Sequence, residues 1–360
     1  MYAAYRWIEE NGGVNVLSIG RKETLDMYLR LGYTQLGQSF KSGDVSYELL
    51  GATISDIKEK LIEFSSTLVR MKKSVNWQLE IPFNQAANCY HGGEFFDAVG
   101  NQFDNLNRRN EIINADVLDA WFSPAPAVIE TIEENLEWIA RTSPPTHSEG
   151  LNKKIGQARN VSPDCILTGA GSSNLIYLAF QKWLTPSSRV LILDPSYGEY
   201  SHVLENIIKC KVERLILHRS KGYQLDLDSL SKKLKEGFDL FVWVNPNSPT
   251  GLHTSKIDVE RILKETASCQ RIWIDETYID FLGINHSLES FAAQSDNVIV
   301  CKSLSKVYAL SGLRAAYLCS SPQQLHNLRV LSPPWSMSLP AQIAATHALN
   351  SLEYYHIKYL

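Results

Sequence analysis

Five short apolar runs recur along the chain after residue 160, and each one ends abruptly in a cluster of polar residues. The runs are Ile166-Leu167, Val190 to Leu193, Leu240 to Val244, Ile272 to Ile274 and Val298 to Cys301. Short, nearly continuous apolar runs separated by helix-length segments are typical of parallel strands that helices cover on both faces. The pattern therefore predicts an α/β fold with a mostly parallel sheet sandwiched by helices.

The polar residues that follow these runs are expected to share one edge of the sheet. They are Thr168 to Asn174, Asp194 to Tyr197, Asn245 to Gly251, Asp275 to Tyr278 and Ser303 to Lys306. Ligands of open α/β sheets bind beyond the carboxyl ends of the strands. We therefore expect these clusters to form a single site, although they are far apart in the sequence.

Residues 1–52 are expected to fold as a small αββ segment. A helix signal around Thr24 to Leu31 is followed by two strand-like runs, Tyr33 to Phe40 and Val45 to Leu50. The stretch Tyr28 to Tyr33 resembles the closing part of acetyl-CoA-dependent acyltransferases. The Arg/Gln-x-x-Gly-x-Gly/Ala turn with which that family cradles phosphate is absent, so we expect an acyltransferase-like remnant that does not transfer acyl groups.

Residues 53–76 are expected to form one amphipathic linker helix. Apolar residues recur at spacings of three and four from Ile54 to Met71, with charged residues between them. The apolar stripe fits packing on a neighbouring domain or a dimerising coiled coil. Fewer than about three heptads are present, which favours packing.

The rest of the chain is expected to contain three parts. Residues 77–145 form an N-terminal arm and a small-domain segment, residues 146–322 form the large domain, and residues 323–360 begin a small domain that is incomplete. Prolines at 124 and 126 open a helix that runs to about Trp138. A last helical region is expected from Pro340 onward.

Composition narrows the class of protein. Of 360 residues, 44% are hydrophobic and 21% are charged, which is typical of globular proteins, and the net charge of -4 argues against nucleic acid or an anionic membrane as partner. The six cysteines show no CxxC spacing, which favours reduced thiols, and no metal site is predicted. Because no apolar run approaches the roughly 18 residues of a membrane span, we expect a cytoplasmic protein.

Lys306 is the first candidate catalytic residue. It follows a strand and a Ser-x-Ser turn. An amine in a dry, enclosed site loses its proton more easily and becomes a nucleophile toward an aldehyde, with which it forms a Schiff base. An isolated lysine is usually a solvated surface charge, so this interpretation depends on its neighbours.

Asp275 and Tyr278 strengthen the interpretation of Lys306. A carboxylate at a strand end could hold a pyridine nitrogen protonated, which makes the ring an electron sink. Tyr278 could donate to the phenolate oxygen of the same ring, and Tyr197 could stack on it. The alternative for Asp275 is a carboxylate that only caps the end of its strand.

An anion site is expected where the first polar cluster meets a helix. The free backbone N–H groups and the dipole of a helix N-terminus attract phosphate, and an arginine binds it bidentately. The candidate phosphate ligands are Gly171, Ser172, Ser173, Ser303 and Arg314. A tight strand-to-helix turn explains the glycines equally well, and Gly169-x-Gly171-x-x-Asn174 also matches a dinucleotide fingerprint except at its third position.

With these residues in order, residues 110–345 resemble the fold-type I pyridoxal-phosphate enzymes, near the class I/II histidinol-phosphate aminotransferases and threonine-phosphate decarboxylases. The matching motifs are Gly-Ser-Ser before a helix, Asp-Pro-Ser-Tyr-Gly-Glu-Tyr, Asn-Pro-Asn-Ser-Pro-Thr-Gly, Asp-Glu-Thr-Tyr, and Ser-Leu-Ser-Lys with Gly312-Leu313-Arg314. The resemblance implies an aspartate aminotransferase-like large domain, pyridoxal 5'-phosphate (PLP) as the cofactor, and a homodimer.

The resemblance also implies a role for each candidate residue. Lys306 would carry the Schiff base and move the substrate proton. Asp275 would pair with the pyridine nitrogen, Tyr278 and Asn247 would hold the phenolate oxygen, and Tyr197 would stack on the ring. The phosphate would be bound by Gly171, Ser172, Ser173, Ser303 and Arg314. Ser248 stands where many relatives have asparagine, so Asn247 or Ser248 could serve. The arginine that binds the substrate α-carboxylate in relatives is expected to be absent, since Arg329 is the only arginine after Arg314.

The leading hypothesis is transfer of an amino group between an amino acid or amino-phosphate and a 2-oxo acid. The alternative within the family is a PLP-dependent lyase, a decarboxylase or an eliminating and cyclising enzyme. Asp116 and Asp119 would then receive a basic substrate side chain, unless they belong to a solvated loop. A PLP-sensing regulator and an NAD-dependent oxidoreductase are the remaining hypotheses.

Overall fold

The computed structural model describes residues 2–10, 12–72, 93–266 and 270–359. The chain divides into two compact units, residues 1–85 and 86–360. The end of the predicted linker helix and the beginning of the predicted N-terminal arm lie in 73–92, outside the described residues. Cys89 and Cys269 also lie outside them, and the other four cysteines are free thiols.

The first unit is a three-stranded antiparallel sheet whose strands lie in the order β1-β3-β2. Its elements are α1 (Tyr2–Glu10), β1 (Asn15–Arg21), α2 (Leu25–Arg30), β2 (Thr34–Ser42), β3 (Val45–Thr53), α3 (Ile54–Glu63) and α4 (Ser65–Lys72). Its buried core consists of Tyr5, Tyr33, Leu50, Ala52, Ile54 and Ile57. The predicted helix and two strands are therefore present, but α1 and β1 were not predicted. The strand β1 is stabilised by antiparallel pairing with β3, a contact that the local pattern does not reveal.

The prediction of one continuous linker helix is wrong. Thr53 caps α3 by accepting a hydrogen bond from the Asp56 backbone N–H at 3.0 Å, and the helix ends at Phe64, whose φ of -101° and ψ of 12° leave the helical region. The helix α4 follows as a separate segment. Because Ile54 and Ile57 are buried in the first unit, α3 belongs to its core and is not a free connector.

The second unit is built around a seven-stranded sheet with strands in the order β4-β10-β9-β8-β7-β5-β6. The strands are β4 (Ile166–Gly169), β5 (Arg189–Asp194), β6 (Lys211–Ile216), β7 (Leu240–Val244), β8 (Arg271–Asp275), β9 (Val298–Ser303) and β10 (Ala316–Cys319). All five predicted strands are confirmed. The strand β10 is antiparallel to both β4 and β9, whereas the pairs among β5 to β9 are parallel.

The sequence pattern missed β6 and β10 for different reasons. The strand β6 is an edge strand with exposed or half-buried residues, so its run is interrupted by polar side chains. The strand β10 has only four residues and lies directly after the Gly312-Leu313-Arg314 turn. The local signal of β6 is therefore too weak to separate it from a loop, whereas β10 is an apolar run as long as β4 and could have been predicted.

Helices cover both faces of the sheet. The helices of the second unit are α5 (Glu94–Val99), α6 (Pro126–Glu134), α7 (Leu136–Arg141), α8 (Glu149–Arg159), α9 (Gly171–Trp183), α10 (Gly198–His202), α11 (Leu227–Leu234), α12 (Lys256–Glu265), α13 (Glu289–Ala292), α14 (Pro322–Arg329), α15 (Leu339–Asn350) and α16 (Leu352–Tyr359). The helix predicted to run to Trp138 is two helices, α6 and α7, joined at Asn135. The predicted last helical region is confirmed as α15 and α16.

Two apolar cores lie on opposite faces of this sheet. Trp243 and Ile274 belong to one core, whereas their neighbours Val244 and Trp273 belong to the other. Because successive strand residues point to opposite faces, burial on both sides produces the near-continuous apolar runs of the sequence. None of the helices in the described part of the chain is both long enough and apolar enough to cross a membrane.

Candidate active site

A cavity of about 660 Å³ lies at the carboxyl ends of the central strands, within the second unit. Nine of the ten predicted site residues line it: Ser172, Ser173, Tyr197, Asn247, Asp275, Tyr278, Ser303, Lys306 and Arg314. The tenth, Gly171, lies directly against Arg314. The parallel strands therefore bring together residues that are widely separated in the sequence.

Asp275 is a buried carboxylate at the end of β8, and only 4% of its surface is exposed. Its Oδ1 accepts hydrogen bonds from the backbone N–H and the hydroxyl of Thr277, at 2.9 and 2.7 Å. Its Oδ2 accepts from the Tyr200 hydroxyl at 2.7 Å. Burial nevertheless raises the pKa of Asp275 above its usual value, because desolvation outweighs these donors. No lysine or arginine of the described chain forms an ion pair with Asp275.

The predicted phosphate site lies where α9 begins. Gly171 has a φ of +83°, and a Cβ built on it would lie 2.6 Å from Nη2 of Arg314. Only glycine therefore allows the guanidinium to lie against the first turn of this helix. Ser172 and Ser173 in the same turn and Ser303 at the end of β9 also line the cavity. These donors form a seat suited to an anion.

Lys306 contacts the carboxylate of Asp119, one of the two acidic residues expected near the substrate. Its Nζ lies 3.1 Å from Oδ1 of Asp119, and the lysine side chain is only 19% exposed. Burial raises the pKa of Asp119, but hydrogen bonds from Ser311 and Lys306 bring that pKa below its usual value. Asp119 is therefore positioned to hold the Lys306 amine in the cavity.

The geometry at Tyr278 bears on whether Asn247 or Ser248 would hold the phenolate oxygen of the cofactor together with Tyr278. The hydroxyls of Tyr278 and Ser248 share a hydrogen bond, and burial raises the pKa of Tyr278. The Asn247 side-chain amide donates to the Pro195 carbonyl oxygen and to Thr250 Oγ1, each at 3.0 Å. Both amide protons of Asn247 are thus engaged, so Ser248 is the better placed partner of Tyr278.

The two acidic residues expected near the substrate have other partners. The Asp116 carboxylate accepts hydrogen bonds from the backbone N–H groups of Gly93 and Phe95, at 2.6 and 3.3 Å, at the start of α5. Asp119 is paired with Lys306. Neither arrangement supports the idea that these carboxylates receive a basic substrate side chain.

Several residues of the site were not predicted. Tyr200 supports Asp275, and the apolar side chains of Val117, Leu118, Phe281 and Leu282 form part of the cavity wall. The Asp-Pro-Ser-Tyr-Gly-Glu-Tyr motif contained a signal for Tyr200, since its second tyrosine lies three positions after Tyr197. Arg329 donates to the backbone carbonyls of Asp164 and Ile166, so it supports the fold and not the cavity.

Comparisons with known proteins agree with this geometry. The sequence model of the family "Aminotransferase class I and II" matches residues 116–356. The histidinol-phosphate aminotransferase of Staphylococcus carnosus is 28% identical over 236 residues, which cover 65% of this chain and 65% of that protein. The chain therefore spans slightly less than two thirds of that relative's length.

Solved structures share the fold. The histidinol-phosphate aminotransferase of Sinorhizobium meliloti, solved with pyridoxal-5'-phosphate, superposes with a TM-score of 0.63 at 19% identity and covers 67% of this chain and 65% of its own. The L-threonine-O-3-phosphate decarboxylase of Porphyromonas gingivalis has a TM-score of 0.55 at 22% identity, over 64% of this chain and 70% of its own. These likenesses establish an aspartate aminotransferase-like fold.

The family match also indicates the cofactor. Class I and II aminotransferases use PLP, and the cavity contains the lysine, the buried carboxylate and the anion seat that this cofactor requires. The family match covers about two thirds of the sequence, including every predicted site residue. The chain belongs to the class I and II aminotransferase family.

Proposed function

We propose that this protein is a PLP-dependent aminotransferase that moves an amino group between an amino acid or amino-phosphate and a 2-oxo acid. One observation carries the proposal. A single cavity contains the amine of Lys306, a buried carboxylate at Asp275 that pairs with no cation among the described residues, and the anion seat where Arg314 lies against Gly171. Those three features match the aldehyde, the ring nitrogen and the phosphate of PLP.

The chemistry of the described residues fits the cofactor. Because Gly171 has no Cβ, the Arg314 guanidinium can lie against the helix N-terminus, where a phosphate would gain donors from both. Asp275 is desolvated yet surrounded by neutral donors, so its negative charge is available to a protonated ring nitrogen. Tyr278 and Ser248 line the same cavity, and their hydroxyls suit the phenolate oxygen.

When bound, PLP supplies an electron sink that stabilises a carbanion at the substrate Cα. The residues of the chain would orient this chemistry. Lys306 Nζ would take the proton from the substrate Cα and return it to the cofactor, since it is the amine inside the cavity. Asp119, whose Oδ1 lies 3.1 Å from that Nζ, would orient the Lys306 side chain in the cavity. Asp275 would hold the proton on the ring nitrogen.

The substrates and the assembly are part of the proposal. The decarboxylase from Porphyromonas gingivalis shares the fold, and a fold does not select between loss of a proton and loss of CO₂. We favour transamination because of the family match. We also propose a homodimer, as the resemblance implies, and a location in the cytoplasm, as the cysteine spacing favours.

The first test is the visible spectrum of the purified 360-residue chain with PLP, before and after borohydride, for wild type, Lys306→Ala and Lys182→Ala. We expect a yellow band that borohydride fixes covalently in wild type and in Lys182→Ala, whose lysine is exposed on α9. Lys306→Ala should lack the covalent adduct. A folded wild-type sample without the band would refute the cofactor assignment.

The reaction type requires a second test. An amino donor is supplied with and without a 2-oxo acid, and the new amino acid and released CO₂ are both measured. Amino transfer that depends on the 2-oxo acid supports the aminotransferase. Product and CO₂ without the acceptor would replace it with the decarboxylase.

A further inference from the structure

Tyr200 and Trp273 lie next to Asp275 and belong to the apolar core that also contains Val244. The Tyr200 hydroxyl donates to Asp275 Oδ2 at 2.7 Å, and the Trp273 indole Nε1 donates to the Tyr200 hydroxyl oxygen at 2.8 Å. Tyr200 and Trp273 are 1% and 0% exposed. The three side chains therefore form a buried chain of hydrogen bonds that ends on the carboxylate.

The direction of this chain is determined by the chemistry of its members. An indole N–H can only donate, so Trp273 occupies a lone pair of the Tyr200 oxygen. The hydroxyl proton of Tyr200 is then directed to Asp275, which accepts it on Oδ2. Thr277 supplies two donors to Oδ1 of the same carboxylate. Each oxygen of Asp275 thus has a fixed partner that favours its ionised form.

The charged groups around Asp275 do not neutralise it. Glu199 is nearly buried and raises the pKa of Asp275 further by repulsion. Cys301, which pairs with Asp275 in the sheet, is a buried thiol whose pKa is raised by desolvation. Neutral donors must therefore keep the carboxylate ionised. A lysine or arginine in place of these donors would compensate the negative charge of Asp275, which should instead pair with the protonated ring nitrogen.

Tyr200 also contacts the residue expected to stack on the ring. Its ring centroid lies 5.9 Å from that of Tyr197, edge to face at 79°. On its other side it packs against Phe180, with ring centroids 5.9 Å apart. Tyr200 therefore links the face of the expected ring, at Tyr197, with the edge of that ring, at Asp275.

We propose that Tyr200, oriented by Trp273, is a positioning residue that holds Asp275 ionised and directed at the ring nitrogen of bound PLP. This inference rests on the proposed function. It adds a residue that acts through Asp275 and does not itself touch the cofactor. Its failure can be separated from failure of the proposed function, because the wild-type spectrum tests the latter alone.

The experiment uses the PLP-loaded 360-residue chain and the variants Tyr200→Phe and Tyr355→Phe. Tyr355 is a matched control, because it is also a buried tyrosine and its hydroxyl accepts from the Ala125 backbone N–H at 2.9 Å, outside the cavity. The measurements are the Kd for PLP and the pH midpoint of the change in the visible band. Both are independent of turnover.

We expect Tyr200→Phe to weaken PLP binding roughly three- to tenfold, since a hydrogen bond to a charged group is lost. The pH midpoint of the band should rise by about one unit, because a ring nitrogen that is less fully protonated repels the neighbouring imine proton less. Tyr355→Phe should change the melting temperature and leave both readouts unchanged.

A double variant decides whether Tyr200 acts through Asp275. If it does, Tyr200→Phe combined with Asp275→Asn should shift the pH midpoint no further than Asp275→Asn alone. Additive shifts in the double variant would overturn the proposal, and so would an unchanged midpoint and Kd in Tyr200→Phe. If wild type lacks the band, the proposed function itself has failed.

Discussion

Asp275 and Asp280 lie five residues apart, are equally buried at 4% exposure, and yet have pKa values shifted in opposite directions. The Arg159 guanidinium and the Lys302 amine pair with Asp280, and they hold its pKa well below the usual value despite burial. Asp275 receives only neutral donors, and burial raises its pKa. The difference lies in the partners and not in the degree of burial.

The comparison separates a structural carboxylate from one that is available for function. The charge of Asp280 is compensated by two buried cations, Arg159 and Lys302. The charge of Asp275 is stabilised but not compensated, so a cationic ligand in the cavity can still use it. A buried acid without a cation is therefore the more informative sign of a binding site.

Asp280 is part of a larger buried ionic cluster. The cluster comprises two cations and three carboxylates: Arg159, Lys302, Glu276, Asp280 and Glu289. One negative charge is in excess, and burial raises the pKa of Glu276 to about 7. Because Glu276 follows Asp275, and Lys302 precedes Lys306 by four residues, the cluster braces both strand ends that carry the site.

The largest effect is expected from Lys302→Met, which breaks the compensated side of the comparison. Lys302 Nζ lies 2.6 Å from Asp280, 3.7 Å from Glu276 and 3.9 Å from Glu289. Its loss leaves three buried carboxylates with one cation, and we expect a loss of about 3–5 kcal/mol in the free energy of unfolding at pH 8. Urea denaturation measures it, with the exposed Lys182→Met as control. An unchanged urea midpoint would show that Lys302 does not compensate the charges of these carboxylates.

Glu276→Gln should remove part of the pH dependence of stability. The Glu276 pKa is raised from 4.5 in the unfolded chain to about 7 in the fold. Its contribution to stability is therefore fully present below about pH 4.5 and is lost as the pH rises through 7. Relative to wild type, Gln should be about 1–3 kcal/mol more stable at pH 8 and nearly equal at pH 5. If the free energies of unfolding of the two proteins changed equally with pH, the raised pKa of Glu276 would be contradicted.

Asp275→Asn should have a smaller effect on folding, which sharpens the contrast with the compensated cluster. The raised pKa of Asp275 means that its ionisation lowers stability as the pH rises through the folded pKa. We expect the asparagine variant without PLP to be as stable as wild type at pH 7, or more stable by up to about 1 kcal/mol. Thermal unfolding of both proteins, each freed of PLP, measures this. A loss of several kcal/mol would place Asp275 with the structural carboxylates.

The smallest effect is expected at Glu213, which has two cations but is exposed. Arg189 and Lys233 lie 2.6 and 2.8 Å from its carboxylate, and its side chain is 35% exposed. Hydrogen bonds from Lys233 and Arg189 lower the Glu213 pKa. Because water screens such pairs, Glu213→Gln should cost about 0.2–1 kcal/mol, and less at 1 M salt. A larger, salt-independent loss would show that pairing matters more than burial.

The core of the fold was predictable from the sequence because its signal is local. Five strands are buried on both faces, so the sequence of each contains a short apolar run: β4, β5, β7, β8 and β9. The polar clusters after them are brought to one cavity by the parallel arrangement alone, and for this reason nine predicted residues line it. The edge strand β6 and the break at Phe64 were missed, since pairing and capping decide them.

The sequence by itself determined the α/β class, the positions of five central strands along the chain and the chemistry that collects at their carboxyl ends. The tertiary structure decided which of the acids have cations and which have only neutral donors. Arg159 and Asp280 are 121 positions apart, and Tyr200 and Asp275 are 75 apart. Periodicity reports only neighbours within a few residues, whereas desolvation and charge pairing depend on what the fold places within about 4 Å. The electrostatic difference between Asp275 and Asp280 therefore arises only once the chain has folded.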